Sequence, residues 1–445
     1  MKILLYGATE MSYLIASRLH QQHDITVLIE AGEKAERFSN LDVREVEGSG
    51  GDIAVLEKIG AGKIDVFIAC SCLDEANIVA CWTVKKVANA ETICFIGKPA
   101  LYQNFSSTAQ NHYHTRYDID SIIWPEQLLT QEMFRIISVP DALDVEILAG
   151  GKAKLFEYRI NKESTLLDKK ISECEFPKDI LISGITREDT LFIPNGSTKI
   201  CIGDKVIFIG TGPALDNLAA DFFHTTSRVK SVSIIGGGSV GFMLAELLEK
   251  LKIRVKIIEH DGSRCEFLAD SLKRALVIKG DGMDLDLLES ELIAGSDVCV
   301  CTTDNDEKNL LCSLLVKQLG SRRTITRIGN PQNYELFARL GIDVVVSPKA
   351  SALTEVLNHL QPQDVDVLAL VEGGKGEVLR LSVPTTFKEV LIRDLNFSAN
   401  AIIGVIIRGH RVLIPDGNTT ICPGDRLKVF TMKEDSDSIK GLFLS

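Results

Sequence analysis

The chain has 445 residues, of which 45% are hydrophobic and 25% are charged, as is ordinary for a soluble globular protein of about three domains. Its 61 acidic residues outnumber the 49 basic ones, and the net charge of −12 excludes a general binder of nucleic-acid phosphates. The longest apolar stretches, such as 401–407, are far shorter than the about 20 residues that span a bilayer. We therefore expect a cytoplasmic protein that neither crosses a membrane nor binds nucleic acid.

The N-terminal half of the sequence is repeated in the C-terminal half. Apolar runs, acidic segments and glycine turns recur in the same order, separated by loops of slightly different length. The sequence therefore predicts a tandem duplication of a unit about half the chain long. The clearest matches pair Thr26–Glu30 with Val255–Glu259, Asp74–Asn77 with Asp306–Asn309, and Pro194–Thr198 with Pro415–Thr419.

Each unit begins with short apolar runs that alternate with helix-like segments, a pattern typical of a doubly wound parallel sheet. A helix opened by a proline follows, at Pro125–Ile137 and Pro348–Leu360, and its apolar residues fit either helix pairing in an assembly or core packing within one chain. Behind it, hairpin-like strands and a short helix, at 166–174 and 387–395, predict a small α+β domain. The fold class is therefore α/β, with two tandem Rossmann-like domains, each followed by a small α+β domain. The predicted Rossmann-like domain, connector helix and small regulatory domain are 1–122, 123–140 and 141–228 in the first unit, and 229–346, 347–362 and 363–445 in the second.

The strongest chemical signal is a glycine-rich turn between a predicted strand at 231–235 and a predicted helix at 242–251. In a G-x-G-x-x-G turn the first glycine makes the bend, the second lets the backbone approach a pyrophosphate and the third allows close helix packing. Free N–H groups at the helix N-terminus then face the phosphates. Glu259, at the end of the next strand, is placed to bind an adenosine ribose, and its charge favours NAD or ATP over NADP. The residues predicted to bind nucleotide here are Gly236, Gly238, Ser239, Val240, Gly241 and Glu259.

The first unit keeps less of this pattern. Its turn at 7–12 retains only the first glycine, Gly7. Thr9 stands where the backbone must approach a phosphate, and Glu10 adds a negative charge beside it. Glu30 is placed in the sequence as the ribose-binding glutamate of the second unit is, so Gly7 and Glu30 are predicted to hold adenosine without a well-bound pyrophosphate. The second unit is therefore predicted to be the principal nucleotide site.

Three more side chains are predicted at the edge where the strands of the second unit end. Asp281 follows the third strand, Asp304 follows the fourth, and Arg327 lies on the fifth, where it can reach a phosphate or an acidic neighbour. Ligands of open α/β sheets bind at that edge, although ordinary turn chemistry explains the two acids equally well. The first unit has Phe95 in place of Arg327, a second sign that its pocket differs.

Cysteine and histidine usage gives no clear metal site. Cys299 and Cys301, like Cys70 and Cys72, share one face of a predicted buried strand, so we interpret them as packing residues in a reducing compartment rather than as metal ligands or redox thiols. The histidines lack metal-ligand spacing apart from the pair at 112 and 114. No Gly-x-Ser-x-Gly elbow, Walker lysine or kinase catalytic loop is evident. An oxidoreductase would need a substantial substrate domain with a proton donor, whereas the second domain of each unit is small and strand-rich. A non-catalytic protein is therefore expected.

In its motifs the chain resembles the TrkA family of Trk potassium-uptake regulatory proteins. The stretches that carry the resemblance are Asp74–Cys81, Asp304–Asn309, Ala401–Gly404 and Pro415–Asp425. The family consists of cytosolic NAD-binding subunits built from two regulator-of-K⁺-conductance units. Membership implies that Gly236, Gly238, Gly241, Glu259 and Asp281 are nucleotide-binding positions.

The resemblance also implies partners and a mechanism. We expect a homo-oligomer, a dimer or tetramer, docked on the inner face of the cell membrane through a Trk-type potassium-transporter subunit. NAD or NADH, with ATP or ADP as alternatives at the same sites, would shift its conformation. Two alternatives stay open: a soluble NAD-dependent oxidoreductase with a duplicated cofactor domain, and a regulator of a different cation transporter.

Overall fold

A computed structural model describes the chain. The described residues divide into two compact units, one formed by 1–129 with 348–356 and the other by 130–347 with 357–445. The histidine pair at 112 and 114 lies outside the described residues. The structure describes all residues except 31, 34–35, 107–118, 139–143, 149–151, 163, 212–213, 216–217, 219–228, 361–364, 372–373, 396–400, 410 and 444–445.

The first parallel domain is a six-stranded sheet flanked by helices. Its strands are β1 (Lys2–Tyr6), β2 (Asp24–Ile29), β3 (Arg44–Glu47), β4 (Val66–Ala69), β5 (Glu91–Phe95) and β6 (Ser121–Ile123). Its helices are α1 (Glu10–Leu19), α2 (Ile53–Ile59), α3 (Asp74–Val87) and α4 (Pro99–Ser106). The strands are parallel and have the order β3-β2-β1-β4-β5-β6.

A connector helix and the first small domain follow. The connector is α5 (Pro125–Ser138), and the strands are β7 (Asp144–Leu148), β8 (Ala153–Arg159), β9 (Ile180–Arg187), β10 (Thr190–Phe192) and β11 (Lys205–Thr211). These strands form an antiparallel sheet with the order β10-β9-β11-β8-β7.

The second parallel domain repeats the first. Its strands are β12 (Ser231–Ile235), β13 (Arg254–Glu259), β14 (Leu276–Lys279), β15 (Val298–Cys301), β16 (Thr324–Arg327) and β17 (Val344–Val346). Its helices are α6 (Ser239–Lys250), α7 (Gly262–Ser271), α8 (Leu285–Ser290), α9 (Asp306–Gln318) and α10 (Tyr334–Arg339). The order β14-β13-β12-β15-β16-β17 matches that of the first sheet strand for strand.

The second connector helix and small domain complete the chain. They comprise α11 (Pro348–Leu360), β18 (Val365–Val371), β19 (Gly376–Ser382), β20 (Val390–Leu391), β21 (Ala401–Arg408), β22 (Arg411–Leu413), β23 (Thr420–Ile421), β24 (Arg426–Met432) and α12 (Ser436–Gly441). The main sheet has the order β18-β19-β24-β21-β22, and β20 pairs with β23.

These elements confirm the predicted fold class and the duplication. Both connector helices begin at their predicted prolines. The helix after the glycine turn begins at Ser239 rather than at 242, because Gly238 caps it. No described helix combines the length and apolar character that a membrane span requires.

The prediction of short helices at 166–174 and 387–395 is wrong. Each segment forms a single 3-10 turn in place of an α-helix. The amide of Ile171 donates to the carbonyl of Thr198 at 3.0 Å, and that of Ile392 donates to Thr419 in the same way. These amides pair with a loop further along the chain and so cannot bond within a helix. The turns are Ile171–Glu173 and Ile392–Asp394.

Each small domain has an apolar core of its own, and a further apolar cluster joins the two domains. Ile207 and Ile209 of the first pack in the same cluster as Val405 and Phe430 of the second. The sheets approach so closely at Gly404 that a Cβ there would lie 2.5 Å from Ile209 Cδ1.

The apolar faces predicted for the connector helices are buried within the single chain. Core packing, one of the two interpretations of these faces, therefore accounts for them without a second copy. The most buried predicted positions are Leu129, Met133, Ile136, Val356, Leu357 and Leu360.

The cysteine prediction is confirmed on β15 and wrong at one position near β4. Cys299 and Cys301 are buried, and burial raises the pKa of Cys299 to about 11. Cys70 is buried as well, but Cys72 is exposed because β4 ends at Ala69, before the pair. No described cluster of His, Cys, Asp and Glu side chains has the arrangement of a metal site.

Candidate functional site

The glycine turn at 236–241 is shaped by two close contacts. Gly236 has φ +104°, a backbone conformation that favours glycine, and a Cβ there would lie 2.9 Å from Thr303 N. Gly241 is the third residue of α6, and a Cβ on it would lie 2.1 Å from the carbonyl oxygen of Gly236. Both glycines are therefore required by the protein itself.

Gly238 is different. It caps α6 with φ −61° and ψ −165°, an extended conformation open to other residues, and a Cβ built on it meets no atom within 4 Å. It is exposed at the N-terminus of α6, where free N–H groups point outward. The turn thus leaves open space where an anion would meet the helix.

Glu259 closes the adjacent side of the turn. Its carboxylate is buried, and Oε2 accepts a hydrogen bond from Gly237 N at 2.8 Å. Oε1 accepts from the amides of His260 and Asp261 at 2.8 and 2.9 Å, and the exposed His260 Nδ1 lies 2.9 Å from it. A carboxylate oxygen can accept two hydrogen bonds, so Oε2 can accept one more besides the bond from Gly237 N.

Arg264, on α7, is a residue of this site that the sequence analysis missed. Its Nε donates to Gly237 O at 2.7 Å and its Nη2 donates to Gly238 O at 3.2 Å. The guanidinium lies over the Phe267 ring at 4.5 Å and near the Phe242 ring at 5.7 Å. Its position five residues after Glu259, in the first turn of the next helix, was the available signal.

Arg327 is connected to the glycine turn through Thr303. Its Nη1 donates to Thr303 O at 2.9 Å, and the backbone of Thr303 lies against Gly236. Asn309 holds this arrangement: its Oδ1 accepts from Thr303 N at 2.8 Å, and its Nδ2 donates to the carbonyls of Thr303 and Arg327, both at 3.0 Å. The ends of β15 and β16 are therefore joined beside the glycine turn.

The two predicted acids at this edge have other surroundings. Asp281 Oδ1 accepts from Met283 N at 3.0 Å within its own turn. Asp304 is exposed just before α9. Among the described residues, no hydrogen bond joins either acid to the glycine turn or to Glu259, and their predicted contact with a nucleotide stays a prediction.

The expectation that the sequence lacks a G-x-S-x-G elbow is wrong as a matter of pattern, because residues 237–241 are Gly-Gly-Ser-Val-Gly. In that elbow the serine lies on a strained turn between a strand and a helix. Ser239 is the first residue of α6 and does not have a positive φ. No described histidine forms a hydrogen bond with its hydroxyl, so the turn lacks the features of a nucleophile elbow.

In the first parallel domain, the corresponding turn is filled by its own side chains. The Thr9 hydroxyl donates to Cys70 O at 2.9 Å and accepts from Ser12 N. The Ser12 hydroxyl, at the position of the third glycine, donates to Gly7 O and lies 3.1 Å from Cys70 Sγ. Gly7 has φ +97°, so the chain bends here as it does at Gly236. The side chains of Thr9 and Ser12 lie in this turn, where the second unit has glycines.

Glu30 directly follows β2, close to the position that Glu259 has at the end of β13, but its contacts within the protein differ. It accepts a hydrogen bond from the hydroxyl of Tyr6, and burial together with this bond raises the pKa of Tyr6. The turn amide, that of Ala8, donates instead to Glu33 Oε2 at 2.8 Å. Glu33 therefore takes the bond that Glu259 makes in the second domain, three residues later in the sequence.

Glu10 has a cationic partner that the sequence could not indicate. Its carboxylate, at the first residue of α1, forms an ion pair with Lys349 Nζ. Both side chains are about one-third exposed, at 39% and 29%. Lys349 is the second residue of α11, near the positive end of the helix dipole. A lysine there is electrostatically unfavourable for its own helix, and an acidic partner offsets this repulsion. The N-terminus of α1 thus carries an ion pair with the start of α11.

Comparison with known proteins places the chain in a family. The family model for the TrkA-N domain matches residues 3–122 and 232–348, which together exceed half of the chain. The model for the TrkA-C domain matches residues 155–222. The chain belongs to the TrkA family. It is 33% identical over 454 residues to Trk system potassium uptake protein TrkA homolog 1 of Methanosarcina mazei, with 100% of both chains covered.

Solved structures share the fold of this family member. The GsuK RCK domain matches with a TM-score of 0.63 at 19% identity, covering 99% of this chain and 94% of that one. The GsuK channel bound to NAD matches with a TM-score of 0.62 at 19% identity, covering 99% of this chain and 79% of that one. Because the identity is only 19%, these matches show the fold alone.

Proposed function

We propose that this chain is a nucleotide-binding regulatory subunit of a potassium-uptake transporter, and that its second parallel domain holds the nucleotide. Gly238 carries the proposal. No neighbouring atom and no backbone angle requires glycine there, so close approach of a ligand is the physical reason for its missing side chain. The open N-terminus of α6 supplies the donors that such a ligand needs.

The ligand that fits best is NAD or NADH, with ATP or ADP as alternatives. All share an adenosine and two neighbouring phosphates. Gly236, Gly238, Ser239, Val240 and Gly241 would lie along the phosphates, and Oε2 of Glu259 would accept from the ribose. Arg327 would face the phosphates from β16. The solved GsuK channel bound to NAD, which has the same fold, supports a dinucleotide.

The first domain serves a structural role in this proposal. Gly7 and Glu30, the positions predicted to hold adenosine there, are surrounded by side chains that bond to one another. A phosphate would have to displace the Glu10 carboxylate from the helix N-terminus. The second domain is therefore the principal site, as the glycine pattern predicts.

The partner follows from the relatives, which are named as Trk system potassium uptake proteins. We infer that several copies, as a dimer or tetramer, bind a Trk-type membrane subunit from the cytoplasmic side. Nucleotide would act by binding one conformation of this assembly more tightly than another, since a ligand shifts an equilibrium only by its differential affinity. No catalytic step is required.

One pair of substitutions tests the nucleotide site. Aspartate is a good N-cap, so Gly238→Asp and Thr9→Asp each keep a helix cap while adding one negative charge at the same position of the two turns. We expect Gly238→Asp to abolish most NADH and ATP binding in calorimetry, and Thr9→Asp to leave it unchanged. Equal losses in both variants would contradict the proposed asymmetry.

Two further measurements address the alternatives. Steady oxidation of NADH with a panel of carbonyl substrates would favour the oxidoreductase, and we expect none. Capture of the partner from native membranes should recover a Trk-type potassium transporter. Recovery of another cation transporter would keep the regulatory role and change its target.

A further inference from the structure

The guanidinium of Arg264 bonds to the outer face of the glycine turn. Its two hydrogen bonds go to consecutive carbonyls, those of Gly237 and Gly238, at 2.7 and 3.2 Å. Phe267 lies beneath the guanidinium plane at 4.5 Å, and the Phe242 ring lies 5.7 Å away. Arg264 is therefore held in place by α7 and α6 together.

Fixing a carbonyl also fixes the next amide. In a trans peptide the C=O of one residue and the N–H of the following residue lie in one plane and point in opposite directions. The bond to Gly237 O therefore orients the N–H of Gly238. Gly238 O also accepts from Phe242 N at 3.0 Å in the first turn of α6, so the second Arg264 bond adds to a helical bond in orienting the N–H of Ser239. Both amides point away from Arg264, at the N-terminus of α6, where a phosphate would be bound.

We propose that Arg264 is a positioning residue that presets the amides of Gly238 and Ser239 for the pyrophosphate of a dinucleotide. This inference rests on the nucleotide-binding function proposed above and assigns a role to a residue outside the glycine motif. Three successive glycines, 236–238, have the greatest backbone freedom to lose when they bind an anion. Two bonds from one rigid side chain remove part of that freedom before the ligand arrives.

The first unit is consistent with this role. Its corresponding sequence position is Ala35, which has no guanidinium. There, Thr9 and Ser12 hold the turn by bonding to Cys70 and Gly7. The unit whose turn has three successive glycines has the arginine. The unit whose turn is held by side-chain hydrogen bonds does not.

The test compares ligands that carry or lack phosphate, using the full chain. Arg264→Gln and Arg264→Lys should both weaken NADH and ADP binding by about tenfold or more, because neither side chain bonds two carbonyls and stacks on Phe267. Adenosine binding should change less than about twofold, since the turn does not contact the nucleoside. Arg254→Gln is the matched control: it removes the same charge at the opposite end of β13 and should bind like wild type.

Three outcomes would overturn the proposal. Wild-type affinity in Arg264→Gln would show that the turn needs no support. Wild-type affinity in Arg264→Lys alone would show that charge acts directly on the ligand. Equal losses for adenosine and ADP would show a general disturbance of the domain.

A ligand-free measurement separates this inference from the proposed function. Hydrogen exchange of the peptide that contains 236–241 should be faster in Arg264→Gln than in wild type or Arg254→Gln, without nucleotide. Unchanged exchange would refute preorganisation even if nucleotide binds. Faster exchange in Arg264→Gln, combined with a wild-type protein that binds no nucleotide, would refute the proposed function and leave the structural role of Arg264 intact.

Discussion

Gly241 packs directly on the carbonyl oxygen of Gly236, so that a Cβ at 241 would lie 2.1 Å from it. Gly241→Ala must push α6 away from β12, and we expect it to lower the free energy of unfolding by about 1–3 kcal/mol. Gly238→Ala meets no neighbour, so it should lose only the N-cap preference for glycine over alanine and be destabilised less than Gly241→Ala. Urea unfolding of the two variants checks this difference. Equal stabilities would show that the turn relaxes easily.

Asn77 and Asn309 make the same four hydrogen bonds in the two parallel domains. Each is almost fully buried and joins the loop after the fourth strand to the end of the fifth. Asn77→Leu and Asn309→Leu leave buried backbone groups without partners, so each should cost about 3 kcal/mol of stability. Only Asn309→Leu should also weaken NADH binding, measured by calorimetry, because it releases Thr303 and Arg327. Equal effects of the two variants on NADH binding would contradict the assignment of the site to the second domain.

The stability of the second small domain should depend on pH through Asp425. Burial raises the pKa of this carboxyl, but Arg408, bonded to both oxygens at 2.8 and 2.7 Å, and the amide of Cys422 outweigh it, so the pKa is lowered. A lowered folded pKa means that the stabilisation is complete above the unfolded value of about 3.9 and is lost as the pH falls through the folded value.

Asp425→Asn should therefore cost about 2 kcal/mol at pH 7 and much less at the acid end of the transition. Urea unfolding between pH 7 and the acid limit of the fold measures the two curves. Asp394→Asn, which removes an exposed carboxyl of the same domain, is the control and should run parallel to wild type. A constant gap between Asp425→Asn and wild type at all pH values would disprove the linkage.

The ion pair between Glu10 and Lys349 should be measurable as a coupling energy. Because both side chains are about one-third exposed, a double-mutant cycle with Glu10→Gln and Lys349→Met should give about 0.2–1 kcal/mol. Lys349→Met alone should cost little, since a lysine at a helix N-terminus is unfavourable for that helix. The coupling should shrink in high salt. Additive single effects at low salt would show that the pair contributes nothing to stability.

The duplication, the two parallel sheets, the proline starts of both connector helices and the bend glycines Gly7 and Gly236 could all be predicted from the amino-acid sequence. These features depend on local properties: the spacing of apolar residues, the fixed φ of proline and the left-handed conformation open to glycine. The six domain boundaries and the nucleotide-contacting residues stay predictions, because the contacts seen here are those of the protein alone.

Which side chains contact one another could be read only from the folded chain. Glu33 rather than Glu30 bonds the first turn, Arg264 supports the second turn, and Lys349 pairs with a residue more than 300 positions away. The short helices failed for the same reason, since their amides bond to distant loops. A periodic pattern fixes the face of a strand or helix, whereas a hydrogen bond depends on distances of a few ångströms that only the folded chain sets.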